Sequence, residues 1–214
     1  MKKNKTSPNL HEEKKLWQDY KNIAGVDEVG RGCLAGPVVA CAVVLPRDFV
    51  VPQELNDSKK LSPKMRDDLF EMFTNDESIS YGLGWVDHKE IDEINILQAT
   101  FLAMKKAVED LEIKADYLLI DGNKFIENFR PHKCIVKGDL KSVSIAAASV
   151  IAKVSRDRFM SKVMEKQYSG YDFARHKGYA TKKHFDAIDK LGICEIHRHS
   201  FLRKYKARQM DLFG

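Results

Sequence analysis

The residues best suited to chemistry are four carboxylates at the ends of apolar, β-type runs. Ile23-Ala24-Gly25-Val26-Asp27-Glu28, Tyr117-Leu118-Leu119-Ile120-Asp121-Gly122 and Cys134-Ile135-Val136-Lys137-Gly138-Asp139 each close on an acid beside glycine. In an open α/β sheet the strand ends are where ligands bind, and an unpaired carboxylate is costly to place at the end of an apolar strand. Taken singly, each Asp reads more readily as a turn residue bonded to nearby backbone N–H groups. If the four converge, Asp27, Glu28, Asp121 and Asp139 repel one another and require a cation. With no Cys or His beside them, they offer hard oxygen donors suited to Mg²⁺ or Mn²⁺ rather than zinc. Two such ions about 4 Å apart activate a water and stabilise a leaving oxygen, an arrangement suited to phosphodiester hydrolysis. One constraint applies: neighbouring strand residues face opposite ways, so Asp27 and Glu28 share a site only if the strand bends or ends there.

Immediately downstream, Gly30-Arg31-Gly32 is a side-chain-poor stretch with a single cation. It can lay backbone groups against a sugar edge while Arg31 holds a phosphate, or it can be a tight turn with an exposed Arg. The chain contains neither the G-x-x-x-x-G-K-[S/T] of a phosphate-binding loop nor a G-x-G-x-x-G, which disfavours nucleotide hydrolysis and dinucleotide redox chemistry. Cys33, Cys41, Cys134 and Cys194 form no C-x-x-C pair and read as free thiols. His176, His184, His197 and His199 stand among Arg175, Lys177, Lys182, Lys183 and Arg198. Such neighbours repel a metal ion, so these histidines are expected to face phosphate or solvent.

The elements that must position these groups are legible in outline. The chain of 214 residues is long enough for one domain with a small appendage. Its longest apolar run, Cys33 to Pro46, has 14 residues and falls short of the ~20 a membrane-spanning helix needs. The basic N-terminus has no apolar stretch behind it, so a cytoplasmic protein is expected. Charge is uneven: residues 151–210 carry 15 Lys and Arg against 6 Asp and Glu, whereas residues 1–150 carry 21 against 24. This asymmetry suits a protein that holds cations at one end and a polyanion at the other.

Strands are expected at Ile23–Val29, Val38–Leu45, Ile79–Val86, Tyr117–Ile120 and Cys134–Val136. A short helix is expected around Glu12–Tyr20. Ser62-Pro63 opens a helix that ends near Asn75, and Asp87 with Glu90 opens another, carrying the core stripe Leu97, Phe101, Met104, Val108 and Leu111. An Ala-rich helix follows over Ser142–Val163, then basic helices, one capped by Thr181. The pattern is α/β, a mixed sheet flanked by helices with a helical C-terminal extension. Its expected divisions are a polar lead and helix over 1–20, a catalytic core over 21–165, a basic helical lobe over 166–208 and a tail over 209–214.

Several blocks together resemble the type 2 ribonuclease H family, ribonuclease HII. They are Gly25-Val26-Asp27-Glu28-Val29-Gly30-Arg31-Gly32, Leu34 to Ala40, Asp57-Ser58-Lys59-Lys60-Leu61, Asp121-Gly122-Asn123, Lys137-Gly138-Asp139, Ala146 to Val154, Arg156-Asp157 and His176-Lys177-Gly178-Tyr179. The resemblance runs in order from about residue 23 to 203. It implies a ribonuclease H-like sheet and hydrolysis of the RNA strand of RNA–DNA hybrids, including incision 5′ to a single ribonucleotide in duplex DNA. By the same resemblance Asp27, Glu28, Asp121 and Asp139 are the catalytic, metal-binding carboxylates for Mg²⁺ or Mn²⁺. Gly30, Arg31 and Gly32 read the ribose 2′-hydroxyl, the group that separates RNA from DNA, and Tyr179 stacks on the neighbouring sugar or base. Lys59 and Lys60 resemble phosphate contacts, and Ser149 and Lys153 support the site and touch the backbone. Family members often have Ala at the position of Val29 and Pro at that of Cys33, which leaves the path of the Arg31 loop less constrained.

Arg198, Arg203, Lys204, Lys206 and Arg208 form a stripe expected to lie along the duplex. The terminal Gln209-Met210-Asp211-Leu212-Phe213 resembles the tail motif that binds bacterial sliding clamps, with Leu212 and Phe213 entering an apolar pocket and Gln209 at its rim. A monomer is expected, with no membrane partner. Two other readings stand beside the nuclease: a silent nucleic-acid-binding module, and a different two-metal nuclease on the same fold.

Overall fold

The computed structural model describes residues 7–55 and 62–203. Lys59, Lys60, Lys204, Lys206, Arg208, Gln209, Leu212 and Phe213 lie outside them. Five strands form one sheet in the order β3-β2-β1-β4-β5, with β1 at Ile23–Val29, β2 at Val38–Val44, β3 at Ser80–Val86, β4 at Tyr117–Asp121 and β5 at His132–Ile135. The β1–β2 and β2–β3 pairs are antiparallel, and β1–β4 and β4–β5 are parallel. The expected mixed sheet is therefore present, and β1, β4 and β5 all deliver their C-terminal ends to one edge.

Both faces of the sheet are covered. Strand β2, Val-Val-Ala-Cys-Ala-Val-Val, is buried throughout, the pattern of a strand packed on two sides. Val38, Ala40, Ala42 and Val44 join Ala24 and Val26 against helix α3 (His88–Glu109). Cys41 and Val43 turn the other way, towards α2 (Pro63–Asn75) and α4 (Val143–Arg158). The remaining helices are α1 (His11–Leu16), α5 (Glu165–Gln167), α6 (Phe173–His176) and α7 (Lys182–Leu191).

The sequence determines the helix starts directly. The Ser62 hydroxyl accepts from the Met65 N–H, Asp87 from Glu90, Ser142 from Ile145 and Thr181 from His184, each satisfying an N–H that has no partner within the first helical turn. Two departures stand out. Helix α3 is broken at Asn95, whose backbone has φ 67° and ψ 162° and whose side chain accepts from the N–H groups of Leu97 and Gln98. The apolar stripe beginning at Leu97 thus belongs to a separately capped second half. The long helix expected to Val163 is regular only to Arg158 and continues as a π-helical stretch over Phe159–Met164.

Helix α4 approaches the sheet as closely as its small residues allow. A Cβ at Gly25 would overlap the Ser144 backbone, so glycine is required where α4 crosses β1. The N-terminus of α4 is fixed from below by the buried Glu13 of α1, which accepts from the Ser142 and Ser144 hydroxyls at 2.6 and 2.8 Å and from the Ser144 N–H at 3.0 Å.

Candidate active site

The register places the first two carboxylates. The parallel pairing of β1 with β4 ends at Val26↔Ile120, and Asp27 and Asp121 are the next residue on each strand. Neighbouring strands lie about 4.8 Å apart, and both residues alternate in phase onto the α4 face. Asp27 is buried, 6% exposed. Burial, followed by the charges of Glu28 and Asp121, pushes its carboxyl well above the ordinary value, while a hydrogen bond from Ser149 acts in the opposite direction. Its Oδ1 also accepts from the Glu28 N–H at 2.8 Å.

Glu28 occupies the opposite phase of the strand, as alternation demands, yet it is electrostatically part of the same group. Burial raises its carboxyl, the Asp121 charge adds to that, and Arg31 opposes it from 3.0 Å. Strand β1 runs one residue beyond Glu28 and turns at Gly30, whose φ of +90° favours glycine. Asp121 accepts from the Gly138 N–H at 2.6 Å, which ties the end of β4 to the short 3₁₀ turn Gly138–Leu140. Asp139, half-buried, is the next residue in that turn. Like-charge repulsion thus concentrates at one sheet edge, and among the described residues no three side chains already stand as a closed metal-binding cluster. The donor chemistry, all carboxylate oxygen with the Asp27 charge disfavoured by burial and then by its like-charged neighbours, fits a hard divalent cation.

Helix α4 carries the supporting groups: its Ser144–Ile145 backbone lies against Gly25, and Ser149 on Asp27 and then Lys153 follow Ile145 at successive turns of one face. Lys153 is 2.8 Å from Asp157, and its Nζ lies 5.2 Å from the centroid of the Tyr179 ring. Tyr179 is half-buried beside Cys33, its neighbour in an antiparallel bridge, and burial pushes its hydroxyl up to about 12. Arg31 and Gly32 are exposed, whereas Gly30 is buried. The structure therefore brings Asp27, Glu28, Asp121, Arg31 and Ser149 into one neighbourhood, with Tyr179 and Lys153 adjoining through α4.

Two expectations require correction. Arg198 is not on a duplex-facing stripe: it is fully buried, and its guanidinium donates to the carbonyls of Gly30, Arg31 and Gly36 at 2.8, 2.9 and 2.9 Å. His176, His184 and His197 face neither phosphate nor solvent. They are buried around Phe173, with the His184 and His197 Nε2 atoms 3.1 Å apart and the His176 and His184 rings stacked at 4.2 Å. In both cases a charged or titratable residue among basic neighbours looks like surface in one dimension. The indication of burial is the apolar partner supplied by the fold, here Phe173 and the loop carbonyls. Arg156, which the sequence marks only as part of a family-like block, is buried and donates to the Pro37, Lys177 and Ala35 carbonyls.

Comparison with known proteins agrees with this architecture. The chain is 54% identical over 196 residues to the ribonuclease HII of Acetivibrio thermocellus, covering 92% of this chain and 75% of that one. It superposes on the ribonuclease H2 of Pyrococcus horikoshii with a TM-score of 0.67 at 26% identity, covering 87% of this chain and 98% of that one. The RNase HII of Archaeoglobus fulgidus, solved in complex with PCNA, shares the fold, with a TM-score of 0.69 at 24% identity and coverage of 83% and 94%. Among the described residues no helix is long and apolar enough to cross a membrane. A sequence model of ribonuclease HII matches residues 24–204, and the chain belongs to this family of endoribonucleases, which act on RNA–DNA hybrids.

Proposed function

We propose that the protein incises duplex DNA on the 5′ side of single embedded ribonucleotides, as well as cutting the RNA strand of longer hybrids, and leaves 3′-hydroxyl and 5′-phosphate ends. The observation that carries this reading is the gathering of Asp27, Glu28 and Asp121 at one sheet edge, where burial and neighbouring negative charge raise the Asp27 and Glu28 carboxyls, beside the exposed Arg31-Gly32 strip. A cation-requiring carboxylate group and a backbone-rich strip suited to a ribose edge stand next to each other. Asp27, Glu28, Asp121 and Asp139 would hold two Mg²⁺ or Mn²⁺ ions, which when bound supply the activated water and the charge that stabilises the leaving 3′-oxygen.

The chain's own residues perform the remaining tasks. Ser149 hydrogen-bonds the Asp27 carboxyl and favours its ionised form against burial and the neighbouring charges, and the Gly138 N–H orients Asp121. Arg31 pairs with Glu28 and offers its exposed guanidinium to a phosphate. Gly32, without a side chain, lets backbone approach the sugar, and Tyr179 presents a ring to the adjacent sugar or base. Lys153 reaches the phosphate backbone from α4, and Lys59 and Lys60 make further phosphate contacts. In this reading residues 21–165 form the catalytic core and residues 166–208 a basic lobe along the duplex.

The test uses labelled duplexes that are all DNA, DNA with one ribonucleotide, and a full RNA–DNA hybrid, each with Mg²⁺ and with Mn²⁺. Cutting 5′ to the single ribonucleotide, with all-DNA untouched, is the expected result. Binding without cutting would favour a silent nucleic-acid-binding module.

The tail Gln209, Leu212 and Phe213 is proposed to dock on a sliding clamp, in keeping with the clamp complex of the Archaeoglobus fulgidus relative. Deleting residues 209–214 is expected to abolish clamp binding and leave cutting of short duplexes intact. Unchanged clamp affinity in the truncated chain would end this assignment.

A further inference from the structure

Two arginines, Arg156 and Arg198, are fully buried, and among the described residues neither guanidinium has a carboxylate partner. Burying an unpaired cation is strongly unfavourable unless its donors are satisfied. Here the compensation is six backbone carbonyls, five of them from a single loop. Arg198 takes Gly30, Arg31 and Gly36, and Arg156 takes Ala35 and Pro37 together with Lys177. The loop is also fixed from outside, by Leu34 N–H to Gly178, Gly36 N–H to Ile196 and Arg198 N–H to Leu34. Burial and the adjacent Arg156 charge lower Arg198 to about 10, so it remains a cation at neutral pH.

A trans peptide group points its C=O and N–H in opposite directions. Drawing the Gly30 and Arg31 carbonyls inward therefore turns the N–H groups of Arg31 and Gly32 outward, at the two exposed residues of the strip. No acceptor among the described residues meets either N–H. A carbonyl bonded to a guanidinium also polarises its amide, which strengthens the N–H on the far side.

We infer that Arg198, backed by Arg156, is a positioning residue for ribonucleotide discrimination: its three carbonyl bonds aim the Arg31 and Gly32 N–H groups at the 2′-oxygen of the substrate sugar. This rests on the reading above that Gly30-Arg31-Gly32 distinguishes ribose from deoxyribose. Arg198 itself touches no substrate. Lysine keeps the charge but cannot span three carbonyls with a fixed planar fork, so the two donors would lose their common direction.

The experiment compares wild type with Arg198→Lys and Gly32→Pro, which deletes one of the two donors outright. Metal-free affinity is measured for a duplex containing one ribonucleotide and for its all-DNA counterpart, together with kcat/KM on the former and the melting temperature. The expected result is a preference for the ribonucleotide duplex in wild type that falls at least ~10-fold in Arg198→Lys, all-DNA affinity staying within about twofold. An equal loss on both duplexes, or an unchanged preference, would overturn the inference. If Gly32→Pro leaves the preference intact, the underlying reading of the strip fails. If Gly32→Pro abolishes it while Arg198→Lys does not, only the role of Arg198 fails. Where Arg198→Lys does not fold, Arg198→Gln, which buries no charge, carries the same comparison with the same outcomes.

Discussion

Ser149 hydrogen-bonds the Asp27 carboxyl from the face of α4 that also meets Gly25, two residues earlier on the same side of β1. The absence of a side chain at Gly25 is therefore what brings the hydroxyl within reach of the acid. Packing and catalytic geometry are joined at one helix–strand crossing, and Glu13 of α1 holds the start of that helix in place.

Ser149→Ala removes a bond that favours the ionised form of Asp27, a carboxyl already raised by burial and by Glu28 and Asp121. A hydrogen bond to a charged group contributes about 1.5–3 kcal/mol, so the metal concentration giving half-maximal cutting is expected to rise at least ~10-fold. The maximal rate at saturating metal is expected to change far less. A metal titration of cutting rate checks this, and an unchanged half-point would remove Ser149 from the site.

Asp121→Asn separates function from stability. The amide oxygen can still accept from the Gly138 N–H, while one of the charges that destabilises Asp27 disappears. Cutting is expected to fall by ~10³-fold or more, corresponding to several kcal/mol of lost charge stabilisation. The metal-free melting temperature is expected to hold or rise. In wild type, Mg²⁺ or Mn²⁺ at about 100 times its dissociation constant is expected to add about 2.7 kcal/mol, a rise on the order of 5–10 °C at this chain length. Thermal melts with and without metal check both effects, and a full metal-induced rise in Asp121→Asn would place the ions elsewhere.

Gly25→Ala forces a methyl into the Ser144 and Ile145 backbone. Backbone cannot swing aside as a flexible side chain can, so the variant is expected to lose about 2–3 kcal/mol or more. Denaturant unfolding measures this. Activity is expected to fall beyond what the unfolded fraction explains, because α4 carries Ser149 outward with it.

The edge carrying Asp27 and Asp121 was legible in the sequence because each acid closes an apolar run, and because sheet order follows once those runs pair. Cap residues such as Ser62 and Thr181 were legible for the same local reason. Asn95 was not, since a helix break created by one left-handed residue leaves the hydrophobic period on both sides intact. Arg156 and Arg198 were not legible either: their partners are backbone carbonyls more than 100 residues away in sequence, apart from Lys177, and carbonyls carry no residue identity. The burial of the histidines is hidden from the sequence for a related reason, since Phe173 and the Tyr179 carbonyl become their environment only after the C-terminal segment folds back on the loop.

That histidine group sets a pH limit. His184 donates from Nδ1 to the Tyr179 carbonyl, which makes its Nε2 the acceptor for His197 Nε2–H, and His197 Nδ1 in turn accepts from the Cys194 N–H. One neutral tautomer of each ring satisfies the chain, and a proton on either ring breaks it. Burial lowers both groups to about 4. With folded values below the ordinary 6.5, the unfolded chain binds more protons between pH 6.5 and 4. The stabilising contribution is therefore complete above about 6.5 and is lost as pH falls towards 4. Asp27 and Glu28, raised in the fold, act with the opposite sign, so ring signals followed by NMR isolate the histidine effect. The His184 and His197 ring signals are expected to stay in their neutral position from pH 8 down to about 5. Titration of either near 6.5 would show that the bonded tautomer chain does not hold Tyr179 in solution.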